Sequence, residues 1–124
     1  MEKLTPQEEK AMKMIWKLEA CCVRDILNLY EDPKPPYTTL ASVVRNLEKK
    51  KYIKGRHIGN VYEYTPVVQQ SEYKSNFISS FVSGYFGNSY KDLVSFFAKE
   101  EKISKEDLDE IINMIEKGKD ESNG

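Results

Sequence analysis

The stretch Tyr37-Thr38-Thr39-Leu40-Ala41-Ser42-Val43-Val44-Arg45-Asn46-Leu47-Glu48-Lys49-Lys50, with the run Lys51 to Pro66 that follows it, decides the fold. Leu40, Val43, Val44 and Leu47 recur at i, i+3, i+4 and i+7, the spacing of one helix face. Each member, once fully buried, contributes about 1.5–3 kcal/mol. The opposite face carries Thr38, Thr39, Ser42, Arg45, Asn46 and Lys49. After Lys51 the period changes from helical to alternating. Tyr52 to Ile58 and Val61 to Thr65 read as two strands around Gly59-Asn60, residues that tolerate the positive φ of tight hairpins. Tyr62 and Tyr64 share one face of the second strand; Val61, Glu63 and Thr65 share the other. Pro66 ends the ladder.

Upstream, Thr5-Pro6-Gln7-Glu8 has the form of a helix start: a capping Thr, a Pro at the first helical position and a Glu that closes a capping box. Ala11, Met14, Ile15 and Leu18 follow at helical spacing. Cys22 precedes a short second helix with Val23, Ile26, Leu27 and Tyr30 on one face. Glu31-Asp32-Pro33-Lys34-Pro35-Pro36 is a rigid turn, because three prolines remove donors and fix φ. Three helices and a basic hairpin, the third helix polar on its outer face, are the plan of a winged helix-turn-helix. A helix fits the major groove, and small polar side chains let its backbone come close. Arg and Lys neutralise phosphates.

The charge supports a nucleic-acid reading although the 124-residue chain is nearly neutral, at −1 overall. Residues 34–64 carry seven bases (Lys34, Arg45, Lys49, Lys50, Lys51, Lys54, Arg56) against two acids (Glu48, Glu63), a local net of +5. Residues 71–124 carry seven bases against eleven acids, a net of −4. A basic half and an acidic half imply separate tasks. The expected DNA contacts are Thr38, Thr39, Ser42, Arg45, Asn46 and Lys49 on the third helix, and Lys54, Arg56 and His57 in or near the wing.

Downstream, Glu72 to Val82 is rich in large apolar side chains: Tyr73, Phe77, Ile78, Phe81 and Val82. Gly84-Tyr85-Phe86-Gly87-Asn88 reads as a break. Ser89 restarts a helix that carries Leu93, Val94, Phe96, Phe97 and Ala98, and Ser104 opens a last helix with Leu108, Ile111, Ile112 and Ile115. So small a helical segment cannot bury all of these alone. A second copy is the expected cover, and two-fold symmetry suits a palindromic site. The expected dimer contacts are Tyr73, Phe77, Phe81, Leu93, Phe97, Leu108, Ile111, Ile112 and Ile115. The domain reading is a DNA-binding part at 1–70, a helical dimerisation part at 71–117 and a disordered tail at 118–124. The fold class is thus mainly α with a small β-hairpin: a winged helix-turn-helix followed by a helical dimerisation domain.

Other classes find little support. Membrane spans need about 20 apolar residues, and the longest unbroken apolar stretch is Ala20-Cys21-Cys22-Val23. The N-terminus lacks the apolar core of a secretory signal, so the expected location is the cytoplasm. The adjacent Cys21 and Cys22 provide no disulfide framework; they read as helix-end residues in preference to a soft-metal or redox pair. Enzyme chemistry would have to come from one of these cysteines with the single His57, and no orienting acid is evident. No cofactor or metal is expected. Two other readings share the pattern: a winged-helix protein-interaction module, or a regulator whose C-terminal aromatic cluster holds a ligand.

A family resemblance runs from about Leu4 to Lys117. The run Leu4-Thr5-Pro6-Gln7-Glu8-Glu9 to Ile15-Trp16, the helix Val23-Arg24-Asp25-Ile26, the segment Tyr37-Thr38-Thr39-Leu40 to Leu47-Glu48-Lys49-Lys50, the wing Val61-Tyr62-Glu63-Tyr64-Thr65-Pro66 and Leu93-Val94 to Phe97 resemble the penicillinase and methicillin-resistance repressors. Their order and spacing carry the likeness. The resemblance implies a homodimeric repressor of a β-lactam-resistance-type operon. It also implies derepression when a membrane-bound sensor metalloprotease leads to cleavage; the family's scissile Asn-Phe bond falls at Phe96–Phe97. Two residues depart from the family pattern: Cys22 replaces a Ser or Thr cap, and Arg45 is the first base of the recognition helix. Copper-responsive members carry added C-terminal cysteines, which this chain does not.

Overall fold

The structure, a computed structural model, describes residues 1–110 and 113. The chain divides into two units, Met1–Ser75 and Asn76–Gly124. Its elements run α1 (Pro6–Leu18), α2 (Val23–Leu29), α3 (Tyr37–Lys49), β1 (Ile53–Ile58), β2 (Val61–Pro66), α4 (Gln70–Phe86) and α5 (Tyr90–Lys99). This is the mainly helical, winged helix-turn-helix architecture that the residue pattern indicates.

Helix α1 starts on a complete capping box. The Thr5 hydroxyl accepts the Glu8 N–H at 3.2 Å, and Thr5 N–H donates to the Glu8 carboxylate at 2.9 Å. The buried face is Glu8, Ala11, Met12 and Ile15. It is rotated from the expected stripe, so Met12 is fully enclosed while Met14 and Leu18 are half-buried. Glu8 is the one charged residue on this buried face. Its 4% exposed carboxylate meets Lys50 Nζ at 2.6 Å, and Lys50 also donates to the Lys3 carbonyl at 2.9 Å. Burying one member of such a pair demands the other. This contact ties the start of α1 to the end of α3.

Helix α3 buries Leu40, Val44 and Leu47, and Val43 packs half-buried at the margin. Below it, Tyr52 precedes β1 instead of opening it, and is 1% exposed. Its hydroxyl donates to the Glu2 carbonyl, and its own carbonyl accepts the N–H groups of Val67 (2.8 Å) and Val68 (3.1 Å). The hairpin is thereby closed at its base. Its antiparallel register pairs Ile53 with Pro66, Arg56 with Glu63 and Ile58 with Val61. Cys21 adds a bridge to Tyr64, with bonds of 3.0 and 2.7 Å. Cys21 is therefore a short sheet partner, not merely a helix-end residue. Burial pushes its thiol up to about 11, and both cysteines are free.

The first unit continues past residue 70. Trp16 Nε1 donates to the Val68 carbonyl at 2.8 Å. The Tyr73 ring lies 5.4 Å from that of Trp16 and 6.1 Å from that of Tyr52, and its hydroxyl donates to Glu9. An aromatic side chain with a polar tip suits such a half-buried seam. Tyr73, expected at a dimer contact, is thus engaged within its own first unit.

In the second unit, α4 does not break at Gly84 but continues to Phe86. An isolated Gly inside a helix is tolerated at about 1 kcal/mol. The stop comes at Gly87 (φ 56°) and Asn88 (φ 68°), the left-handed conformation of a helix end. Ser89 caps α5 by accepting the Asp92 N–H at 3.1 Å. Residues 105–110 are helical, and Ser104 accepts the Asp107 N–H at 3.1 Å. Val82 is buried, but Phe77, Ile78, Tyr85, Tyr90 and Phe96 are exposed. Among the described residues, no helix is long and apolar enough to cross a membrane.

Candidate nucleic-acid interface

The polar face of α3 emerges intact. Thr38, Thr39, Ser42, Arg45, Asn46 and Lys49 are all exposed, because the helix turns Leu40, Val44 and Leu47 into the core. Arg45 Nη2 donates to the Ser42 hydroxyl at 3.3 Å, which steadies the guanidinium along the helix surface. Arg45, Lys49 and Lys54 pair with no carboxylate among the described residues.

The hairpin presents two unlike faces. Lys54, Arg56, Ile58, Val61, Glu63 and Thr65 share the outer one by register. Arg56 is exposed and lies 3.7 Å from Glu63, an exposed pair worth little to stability and easily exchanged for a phosphate. The inner face holds Gly55, His57, Tyr62 and Tyr64. The Tyr62 ring lies across Gly55, and its hydroxyl donates to Glu48 of α3 at 3.1 Å. That bond raises the Tyr62 phenol above its ordinary value. Tyr62 meets Tyr64 edge-on at 5.0 Å and His57 at 4.8 Å. The wing is therefore fastened to the end of α3 by one side chain, a role no sequence period marks.

Two bases of the +5 segment are engaged within the fold, the exposed Lys34 and the half-buried Lys50. Lys34 Nζ donates to the Leu27 carbonyl at 3.2 Å, the Asn28 carbonyl at 3.4 Å and the Tyr30 carbonyl, closing the C-terminal end of α2. Lys50 is held by Glu8. Arg45, Lys49, Lys51, Lys54 and Arg56 remain exposed. Two residues outside the expected set join the surface. Arg24 stands 5.6 Å over the exposed Tyr37 ring, and both line a groove of about 460 Å³ between α2, α3 and the hairpin.

A penicillinase repressor family model matches residues 4–117. The chain belongs to the penicillinase repressor family. The methicillin resistance regulatory protein MecI of Staphylococcus aureus (strain N315) is 21% identical over 117 residues, covering 92% of this chain and 94% of that protein. The Staphylococcus aureus penicillinase repressor is 24% identical over 109 residues, covering 87% and 86%. The Bacillus licheniformis penicillinase repressor is 23% identical over 117 residues, covering 94% and 91%. Penicillinase repressors are DNA-binding transcriptional repressors, not enzymes. In this repressor Cys21 is buried in its bridge to Tyr64, while His57 is exposed on the wing.

The other expected sites lie in the second unit. Phe81, Leu93, Phe97 and Leu108 are half-buried, and Phe77 is 56% exposed. Ile111, Ile112 and Ile115 lie outside the described residues, as do most of the positions after 110. The Phe96–Phe97 bond lies inside α5, with Phe96 50% exposed and 5.9 Å from the Phe86 ring.

Proposed function

We propose that this repressor acts as a homodimer on a palindromic operator, controls a β-lactam-resistance-type operon, and is released by proteolysis in its C-terminal helices. The observation that carries the DNA half is the exposed face of Thr38, Thr39, Ser42, Arg45, Asn46 and Lys49 beside a basic wing. Small polar side chains permit close approach to base edges, and Arg45 provides the bidentate donor. Lys49, Lys54 and Arg56 meet phosphates, with His57 beside them.

The dimer rests on the second unit. Phe77, Ile78, Tyr85 and Phe96 are exposed large apolar side chains in a short helical segment. A monomer rarely leaves so many uncovered. Phe77, Phe81, Leu93, Phe97 and Leu108, with Ile111, Ile112 and Ile115, are the proposed contacts; the domain boundary falls after Ser75 in this reading. Cleavage at Phe96–Phe97 would require α5 to open locally, since a protease needs extended backbone. It would separate the segment from Phe97 onward from the rest and weaken the dimer. The names of the relatives, methicillin resistance regulator and penicillinase repressor, support the operon. The test is to express the repressor with a membrane-bound sensor metalloprotease, add a β-lactam, and map fragments by mass spectrometry. Fragments meeting at Phe96–Phe97 are expected. Full induction with an intact chain would refute release by cleavage.

A further inference from the structure

We propose that the groove between α2, α3 and the hairpin reads a thymine methyl group in the operator, with Tyr37 as the specificity-determining residue and Arg24 as a phosphate clamp. The inference rests on the DNA-binding reading and adds two residues to it. The groove, about 460 Å³, is lined by Arg24, Tyr37, Ala41, Arg45, Val61 and Tyr62, among others, and no carboxylate lines it among the described residues. Its two guanidiniums pair with no acid among the described residues. Between them lie apolar surfaces left open to solvent: Tyr37 is 46% exposed and Val61 51% exposed. Ala41, partly exposed one helical turn beyond Tyr37, keeps the floor low.

A groove with a positive rim and an apolar floor, on the face that meets DNA, needs an occupant that is anionic at its edges and apolar at its centre. Duplex DNA has one such feature. The thymine C5-methyl is the apolar mark in the major groove, and phosphates flank it on the strand. Tyr37 is suited to this contact because it opens α3, where side chains of a recognition helix first meet base edges. Arg24, exposed and 5.6 Å over the Tyr37 ring, steadies that ring and leaves its guanidinium accessible to a phosphate.

The test begins with a duplex selected by the full chain from a random library. Each thymine of one half-site is then replaced by deoxyuridine, which removes only the methyl. At one position, wild-type affinity should fall about fourfold, the size of one buried methylene. Tyr37→Asn should abolish that difference and Tyr37→Leu should keep it. Arg24→Ala should weaken thymine and uracil duplexes equally and reduce the salt slope by about one per protomer. Insensitivity to every replacement, or a methyl effect unchanged in Tyr37→Asn, would overturn the inference while leaving DNA binding intact. Failure to select any duplex would overturn the DNA-binding reading beneath it.

Discussion

Replacing Gly55 by alanine tests how the wing is held. A Cβ at that position would lie 2.3 Å from Tyr62 Cε1, 2.6 Å from Cζ and 2.8 Å from the hydroxyl oxygen. The ring must swing away, since all three of these nearest atoms belong to it. Swinging breaks the hydroxyl bond to Glu48, and hydrogen bonds to charged groups contribute about 1.5–3 kcal/mol, toward the lower end at this half-exposed site. It also separates Tyr62 from Tyr64 and His57, where edge-on pairs add about 0.5–1.5 kcal/mol each. Against this, Gly→Ala restores about 0.5–1 kcal/mol of backbone entropy. The net expectation is a loss of about 1.5–4 kcal/mol, measured by urea unfolding with Trp16 fluorescence. DNA affinity should fall as well, by a similar factor on every sequence, because the wing meets phosphates. Tyr62→Ala removes the clash in advance, so Gly55→Ala added to it should cost nothing further. Equal stability of Gly55→Ala and wild type, or additive losses in the double variant, would refute the clamp.

Other expectations follow from the same contacts. A chain ending at Gln70 loses Tyr73 and its seam with Trp16, so it should be less stable than one ending at Ser75 by about 1–3 kcal/mol in urea titration; equal midpoints would contradict the seam. Acid should weaken the first unit. Glu8 is pushed up by burial but brought down further by Lys50 and Thr5, and Glu9 is lowered chiefly by the Tyr73 hydroxyl, so both sit below the ordinary 4.5. Folding stability from such carboxylates is present above that value and lost as pH falls through the folded pKa. Urea midpoints should therefore decline below about pH 4.5, and Glu8→Gln should flatten the decline while costing about 3 kcal/mol at pH 7. Iodoacetamide at neutral pH should label the half-buried Cys22 and spare Cys21; peptide mapping showing equal labelling would contradict the Cys21–Tyr64 bridge.

The sequence made the local parts of this fold readable. The stripe on α3, the Thr5 capping box and the Gly59-Asn60 hairpin each lie within a few residues, where period and cap chemistry act. What stayed hidden depends on residues far apart in the chain. Glu8 and Lys50 pair across 42 positions; nothing in either neighbourhood marks that lysine as unavailable to DNA. Cys21 pairs with Tyr64 through a single bridge, too short to have a period. Tyr73 resembles its aromatic neighbours on α4, but its partners Glu9 and Trp16 lie at the other end of the unit's sequence and Tyr52 stands just before β1. Gly84 failed to end α4 because a lone glycine costs a helix little, while Gly87-Asn88 supplies the left-handed turn that a stop requires. Arg24 and Tyr37 carry no signal as a pair in the sequence, because their contact joins two helices across the proline turn.

The most direct test of DNA recognition by the α3 face and wing is the affinity of the full chain for its selected palindrome from 50 to 200 mM salt, with Arg45→Ala alongside. Two protomers that each present Lys49, Lys54 and Arg56 offer six phosphate contacts, for which affinity should fall about 10³-fold over that range. Arg45→Ala should lose about 1–3 kcal/mol on the palindrome and much less on a scrambled duplex. Salt-independent affinity, or an unchanged preference for the palindrome in Arg45→Ala, would contradict the account.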